Sequence, residues 1–230
     1  MKSKHIGIVA CSAEGAALCY RTLCSEGPAL LGEHRHPEVS LHTHCLGDYM
    51  VPIRSGDWQA VADLMLSSVD KLSRIGAELA ICPDNTIHQA FDRVAVASPI
   101  PWLHIAECVA QEAQQQGYRC LGITGTKYLM TGPVYPEVLD RQGVGYVIPD
   151  EPTREKIDTI IFWDLVNGIF GEDNRRYFNH VIQGLKDQGC DAVVLGCTEI
   201  PLLVDPRDCP LPCLDSTRLL ARAALRAAIG

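Results

Sequence analysis

Apolar positions in this chain fall into short continuous runs separated by longer stretches of helical period. Residues 5–11 (HIGIVAC) form a run of the kind a strand buried on both faces requires. Residues 14–25 read as a helix and residues 39–46 as a second strand. The strongest helix is predicted over 58–75. Asp57 can cap it, Val61, Met65, Val69 and Leu72 share one face, and Gly76 ends it. Residues 79–82 are the next strand, and the stretch VASPIPWLHI predicts one more around Val96 and Pro99.

The pattern then restarts. Residues 119–126 and 145–149 read as strands, residues 128–142 as a helix with a Pro-Gly break, and residues 153–166 and 177–188 as helices. Residues 191–195 are a strand, and residues 217–228 close the chain as a helix. Alternation of this kind predicts α/β architecture with parallel sheets covered on both faces. The two halves also echo each other. Gly7 matches Gly122 at an offset of 115, and Asp84 matches Cys197 at an offset of 113. The expectation is two pseudo-symmetric α/β domains, residues 1–97 plus 214–230 and residues 98–213. Ligands of open parallel sheets bind outside the carboxyl ends of the strands, which places the expected active site in the cleft between the domains.

Composition narrows the partners. The net charge is −8 and no basic run stands out, which argues against nucleic acid and anionic membranes. No apolar stretch is long enough to span a bilayer, and the first residues lack the apolar core of a signal peptide. The 11 cysteines carry no CxxC or Cys/His metal spacing and mostly interrupt apolar runs. That usage predicts buried thiols in a reduced, cytoplasmic protein without structural metal.

The candidate chemistry lies at two matched strand ends, GAELAICPDNT and GCDAVVLGCTE. Each carries a proton-handling group eight residues after its glycine, Asp84 in one and Cys197 in the other. Such a pair suits inversion at a carbon held between them. Cys197 follows a strand and precedes a helical turn, where a thiol ionises more readily; the plain alternative is a small buried thiol. Asp84 before Asn-Thr is also an ordinary helix cap. As an acid/base its carboxylate needs burial or negative neighbours to raise its pKa. Three roles stay open for it: a tuned proton donor or base, a binding group for a cationic or hydroxyl function, or a substitution that leaves one-sided proton exchange. Asn85, Thr86 and Thr198 offer donors for a carboxylate at these strand ends. Glu199 can polarise Cys197 or cap the turn. Lys156 sits in a first helical turn, where the dipole disfavours a cation, which hints at a ligand; a solvated lysine is the alternative. His104 beside an apolar run reads as a core histidine.

Taken together, DNTIH (residues 84–88), LHIAE (103–107), GTKYLM (125–130), REKIDTIIF (154–162), GCTEIPLL (196–203) and LDST (214–217) resemble the aspartate/glutamate racemase family over essentially the whole chain. The resemblance implies cofactor-independent racemisation or epimerisation of a small, acidic amino acid by two acid/base residues, without pyridoxal phosphate or metal, in a homodimer. It assigns Cys197 and the position of Asp84 to proton transfer. It assigns Asn85, Thr86, Thr126, Lys156 and Thr198 to the substrate, and Glu199 is a further candidate for the substrate site. The chain departs from the pattern in places. Asp84 stands where the family has a cysteine, with Cys82 two residues early. Ala10-Cys11-Ser12 replaces a Gly-Gly-Met turn, and Leu220 replaces a histidine. The arginine that binds a distal carboxylate has no clear counterpart near residues 46–54; Arg54 and Lys127 are candidate replacements. A single-thiol decarboxylase or isomerase of a small carboxylic acid, or a non-catalytic small-acid binder, shares the same fold and remains open.

Overall fold

The computed structural model describes residues 3–230. Among the described residues seven strands form two sheets, and every pairing in both is parallel. The first sheet holds β1 (Ile6–Ala10), β2 (Val39–Thr43) and β3 (Leu79–Ile81) in the order β2-β1-β3. The second holds β4 (Cys120–Thr124), β5 (Gly145–Val147), β6 (Ala192–Leu195) and β7 (Cys213–Asp215) in the order β5-β4-β6-β7. Helices connect consecutive strands, as parallel pairing requires. The chain forms two compact units. One runs to Cys108 and resumes at Thr217; the other is Val109–Ser216.

In the first unit, the helix Trp58–Arg74 starts on Asp57, whose Oδ1 accepts the Ala60 N–H at 3.0 Å. Val61, Met65, Val69 and Leu72 are buried, as their spacing predicts. Ile6, Ile8, Leu79 and Ile81 of the sheet pack with Leu23, Leu220 and Leu225 from flanking helices. Leu220 is fully buried, so the position that departs from the family histidine serves the core. In the second unit, Ile157, Ile161, Phe178, Ile182 and Leu185 pack on Val193 and Leu195. Each such side chain contributes about 1.5–3 kcal/mol on removal from water.

The internal repeat extends to hydrogen bonds. The helices Trp58–Arg74 and Glu172–Asp187 both end at a glycine of positive φ, Gly76 at 97° and Gly189 at 93°, where a side chain would be strained. After each glycine the chain turns back in the same way. Ala77 N–H donates to the Leu72 carbonyl at 3.0 Å, and Cys190 N–H to that of Leu185 at 3.1 Å. Glu78 N–H then reaches the His5 carbonyl at 2.8 Å, and Asp191 N–H that of Cys120 at 2.9 Å. Their carboxylates answer by accepting from the His5 and Cys120 N–H groups, at 3.1 and 3.2 Å. Gly7 and Gly122 let these helices lie close on the sheet. A Cβ on Gly7 would come 3.3 Å from the Leu72 side chain, and one on Gly122 would come 2.8 Å from that of Leu185.

The strand expected around Val96 and Pro99 is not formed. Residues 91–97 are instead a helix, Phe91–Ala97, with Val96 exposed in its last turn. Beyond it, Trp102 makes a one-residue parallel bridge to Ala80. The Ala80 N–H donates to the Pro101 carbonyl at 2.8 Å, as Val193 N–H does to Pro212 at 2.9 Å where β7 begins. The segment is thus the counterpart of β7, which is preceded by prolines at the same two positions, Pro210 and Pro212 for Pro99 and Pro101. Two further helices, Leu46–Ser55 and Ile105–Gln116, were not among the predicted elements. The first contains Pro52, and the second follows a run that reads as strand.

Candidate active site

In the first unit the carboxyl end of β3 leads through Cys82 and Pro83 to Asp84. Asp84 Oδ1 accepts the Ile87 N–H at 3.3 Å and so caps the 3-10 turn Thr86–Ala90. Its carboxyl group is half-buried, while Asn85 and Thr86 behind it are buried. The Asp84 carbonyl accepts from His88 Nδ1 at 2.7 Å and, at 3.8 Å, from the Cys82 thiol. Burial first, and the charge of Asp84 second, push the Cys82 thiol well above the ordinary range. Cys82 is fully buried in the core below this turn. Tyr49, from the helix Leu46–Ser55, is fully buried beside Cys82, Cys11 and Asp84, with Ser68 also next to it. Burial first, then Cys82, Cys11 and Asp84, raise its pKa.

In the second unit two strand ends come together. Gly196, after β6, donates its N–H to the Thr124 carbonyl of β4 at 2.8 Å. A Cβ on Gly125 would meet the Gly196 carbonyl at 3.1 Å, so two glycines allow the strand ends to touch. Thr126 follows on one and Cys197 on the other. Thr126 Oγ1 caps its own turn, accepting from Leu129 N–H at 3.2 Å. Cys197 Sγ donates to Glu199 Oε2 at 2.9 Å, and Thr198 Oγ1 donates to the same oxygen at 2.8 Å. Glu199 is 1% exposed, and its other oxygen, Oε1, is buried without a hydrogen-bond partner. The helix beyond, Ile200–Leu203, is a single turn. The thiol thus has a carboxylate as a direct neighbour, one of the two positions the sequence left open for Glu199.

Lys156 lies on a different face of its helix, Glu151–Trp163, from the side that meets the Thr126 turn. Its Nζ sits 3.9 Å over the Tyr177 ring. The contact with that turn is made by Asp158, a buried residue that sequence reasoning missed. Asp158 Oδ1 accepts the Lys127 N–H at 2.9 Å. Lys127 Nζ pairs with Glu155 at 3.2 Å, and Arg54 is exposed in the last turn of Leu46–Ser55. His104 is half-buried and accepts the Ala106 N–H on Nδ1 at 3.2 Å, beside His88 and Phe91. His88 and Tyr49 were also missed; the DNTIH motif marked His88, whereas nothing local marked Tyr49. Among the described residues no group of three or more His, Cys, Asp or Glu side chains is placed to hold a metal ion, and no helix is long and apolar enough to cross a membrane.

Comparison with known proteins agrees with these arrangements at the level of family and fold. The family model described as Asp/Glu/hydantoin racemase matches residues 8–224. A candidate Asp/Glu racemase from Yersinia pestis is 32% identical, with a TM-score of 0.89 over 99% of this chain and 100% of that one. An aspartate racemase homologue from Pyrococcus horikoshii OT3 is 26% identical, with a TM-score of 0.84 over the whole of both chains. The broad-specificity amino-acid racemase RacX of Bacillus subtilis (strain 168) is 22% identical over 172 residues, which cover 74% of this chain and 73% of RacX. The family match takes in both sheets and both strand ends, and the chain belongs to the Asp/Glu/hydantoin racemase family of enzymes.

Proposed function

We propose that the protein racemises or epimerises a small amino acid by moving the Cα proton, with Cys197 acting on one face of Cα and Asp84 on the other. The observation that carries this reading is the hydrogen bond from the Cys197 thiol to the buried Glu199 carboxylate at 2.9 Å. A buried acceptor at that distance both aims the sulfur and offers its proton a place to go. Glu199 then polarises the thiol as well as bounding the substrate site. Asn85, Thr86, Thr126 and Thr198 supply donors for the α-carboxylate, and Lys156, held over the Tyr177 ring, keeps the role of orienting the region around them. An acidic amino acid is the substrate this reading favours, with Lys127 and Arg54 as candidate replacements for a distal-carboxylate arginine. Removal of water from around Cα helps so weak a carbon acid to ionise.

The capping bond from Ile87 to Asp84 favours a second reading. A carboxylate occupied as a cap leaves Cys197 as the one mobile acid/base, which suits one-sided exchange, or decarboxylation or isomerisation of a small carboxylic acid. An amino-acid panel in D₂O separates the two, with Asp84→Asn, Asp84→Cys and Cys197→Ser beside the wild type. Racemisation by Cys197 and Asp84 requires deuterium at Cα with inverted configuration, and loss of both in Cys197→Ser. Exchange with inversion in Asp84→Asn at the wild-type rate would show that Asp84 is a cap alone.

A further inference from the structure

The DNTIH and LHIAE segments meet in the first unit, and we infer that His88 is a positioning residue for Asp84, holding its backbone against the first turn of the helix Ile105–Gln116. The inference rests on Asp84 acting in proton transfer as proposed above. His88 is buried, and both ring nitrogens are engaged by backbone. The Ile105 N–H donates to Nε2 at 3.3 Å, so Nε2 is the accepting nitrogen. A neutral imidazole then carries its proton on Nδ1. That Nδ1–H donates to the Asp84 carbonyl at 2.7 Å.

The ring is held from its sides as well. Phe91 stacks on it with centroids 5.5 Å apart and planes 7° from parallel, and His104 meets it edge-on at 4.9 Å. Burial first, and His104 second, push the His88 pKa down to about 3, so the ring keeps this neutral form through the neutral range. With both nitrogens spent on backbone, His88 does not exchange protons with a substrate. What it controls is the peptide plane after Asp84. That plane sets the direction of the Asp84 side chain and of the Asn85 and Thr86 N–H groups that follow it. The Cys82 thiol, at 3.8 Å, is a weaker partner of the same carbonyl.

Three substitutions separate the two hydrogen bonds. His88→Asn places an amide N–H near the position of Nδ1 and keeps the bond to Asp84. His88→Gln reaches Ile105 but has no donor at the Nδ1 position. His88→Phe keeps the ring and loses both. The readouts are kcat and KM for Cα deuterium incorporation in D₂O, with the melting temperature of each variant. Misplacement of a reacting group costs about 10²-fold; kcat should fall by that order in His88→Gln and His88→Phe, with KM little changed, while His88→Asn stays close to wild type. In the Asp84→Asn background, His88→Phe should lower kcat no further. Wild-type kcat in folded His88→Gln and His88→Phe, with Asp84→Asn impaired, would overturn the positioning role and leave Asp84 standing. A wild-type rate in Asp84→Asn would instead remove the reading of Asp84, and the role of His88 with it.

Discussion

Gly196 lies directly on Thr124: its N–H donates to the Thr124 carbonyl at 2.8 Å, and a Cβ on Gly196 would stand 2.6 Å from that same oxygen. The second obstacle to a side chain there is Leu129 Cδ2, also at 2.6 Å. A leucine terminus can turn away; a strand carbonyl already paired cannot. Gly196→Ala should therefore push the end of β6 away from β4 and carry Cys197 with it. The expected loss of stability is about 1–3 kcal/mol, as for overpacked cores, read as a lower urea midpoint. Activity should fall further than the unfolded fraction explains, because the displaced residue is the one next to the thiol.

Glu199 separates stability from catalysis. Its Oε2 accepts from Cys197 and Thr198, but its Oε1 is buried without a partner. An unsatisfied buried polar atom costs about 1–3 kcal/mol, and more when charged. Glu199→Gln removes the charge and keeps an oxygen able to accept from the thiol. The variant should be as stable as the wild type or more so, while its Cα exchange rate falls by about 10²-fold, the range of one lost acid/base partner. A variant that is both less stable and fully active would contradict the role given to Glu199.

The fold was legible because its signals are local. Gly76 and Gly189 stop their helices, Asp57 starts one, and the buried faces of Trp58–Arg74 and Glu172–Asp187 are written in their spacing. The equal offsets of Leu72 to Leu185 and of Asp84 to Cys197 mark one repeated unit. The site was less legible. Cys197 and Glu199 are two residues apart, so their contact could be foreseen. The Asp158 bond to Lys127 spans 31 residues, and that of His88 to Ile105 spans 17. Tyr49 reaches the strand ends from a helix whose internal proline hid it. Such contacts depend on packing between elements, which no local pattern carries.

Asp84 has a capping role that can be weighed apart from its chemistry. Asparagine caps about as well as aspartate, and alanine does not. Asp84→Asn should keep the bond from Ile87 N–H and leave the melting temperature near wild type. Asp84→Ala should lose about 1 kcal/mol. If Asp84 transfers protons, both variants lose inversion to a similar degree despite their different stabilities. If it only caps, activity follows stability, and Asp84→Asn is the active one. Thermal melts and D₂O exchange on the same two proteins decide it.

Acid sensitivity follows from His88. Burial, with His104 second, lowers its pKa from the ordinary 6.5 to about 3. The unfolded chain takes up a proton at this residue below about 6.5, while the folded protein resists doing so down to about 3. Between those values the unfolded state binds more protons, so stability falls as pH falls. The contribution is fully present above pH 6.5 and is lost toward pH 3, at a limiting slope of about 1.4 kcal/mol per pH unit for one group. Unfolding free energy measured from pH 7.5 to pH 4 should show this acid limb. Replacing the ring by a group that does not titrate, in His88→Asn, should flatten it by up to one proton's worth of slope. Carboxylates held by hydrogen bonds, such as Glu26 with Arg222, add to the same limb once the pH falls into the range where free carboxylates protonate. Between about pH 5 and pH 6.5 the limb also carries His42 and His44, whose pKa values burial lowers, so the difference between wild type and His88→Asn is what isolates His88. An unchanged slope there in His88→Asn would mean that the buried ring is not what resists the proton.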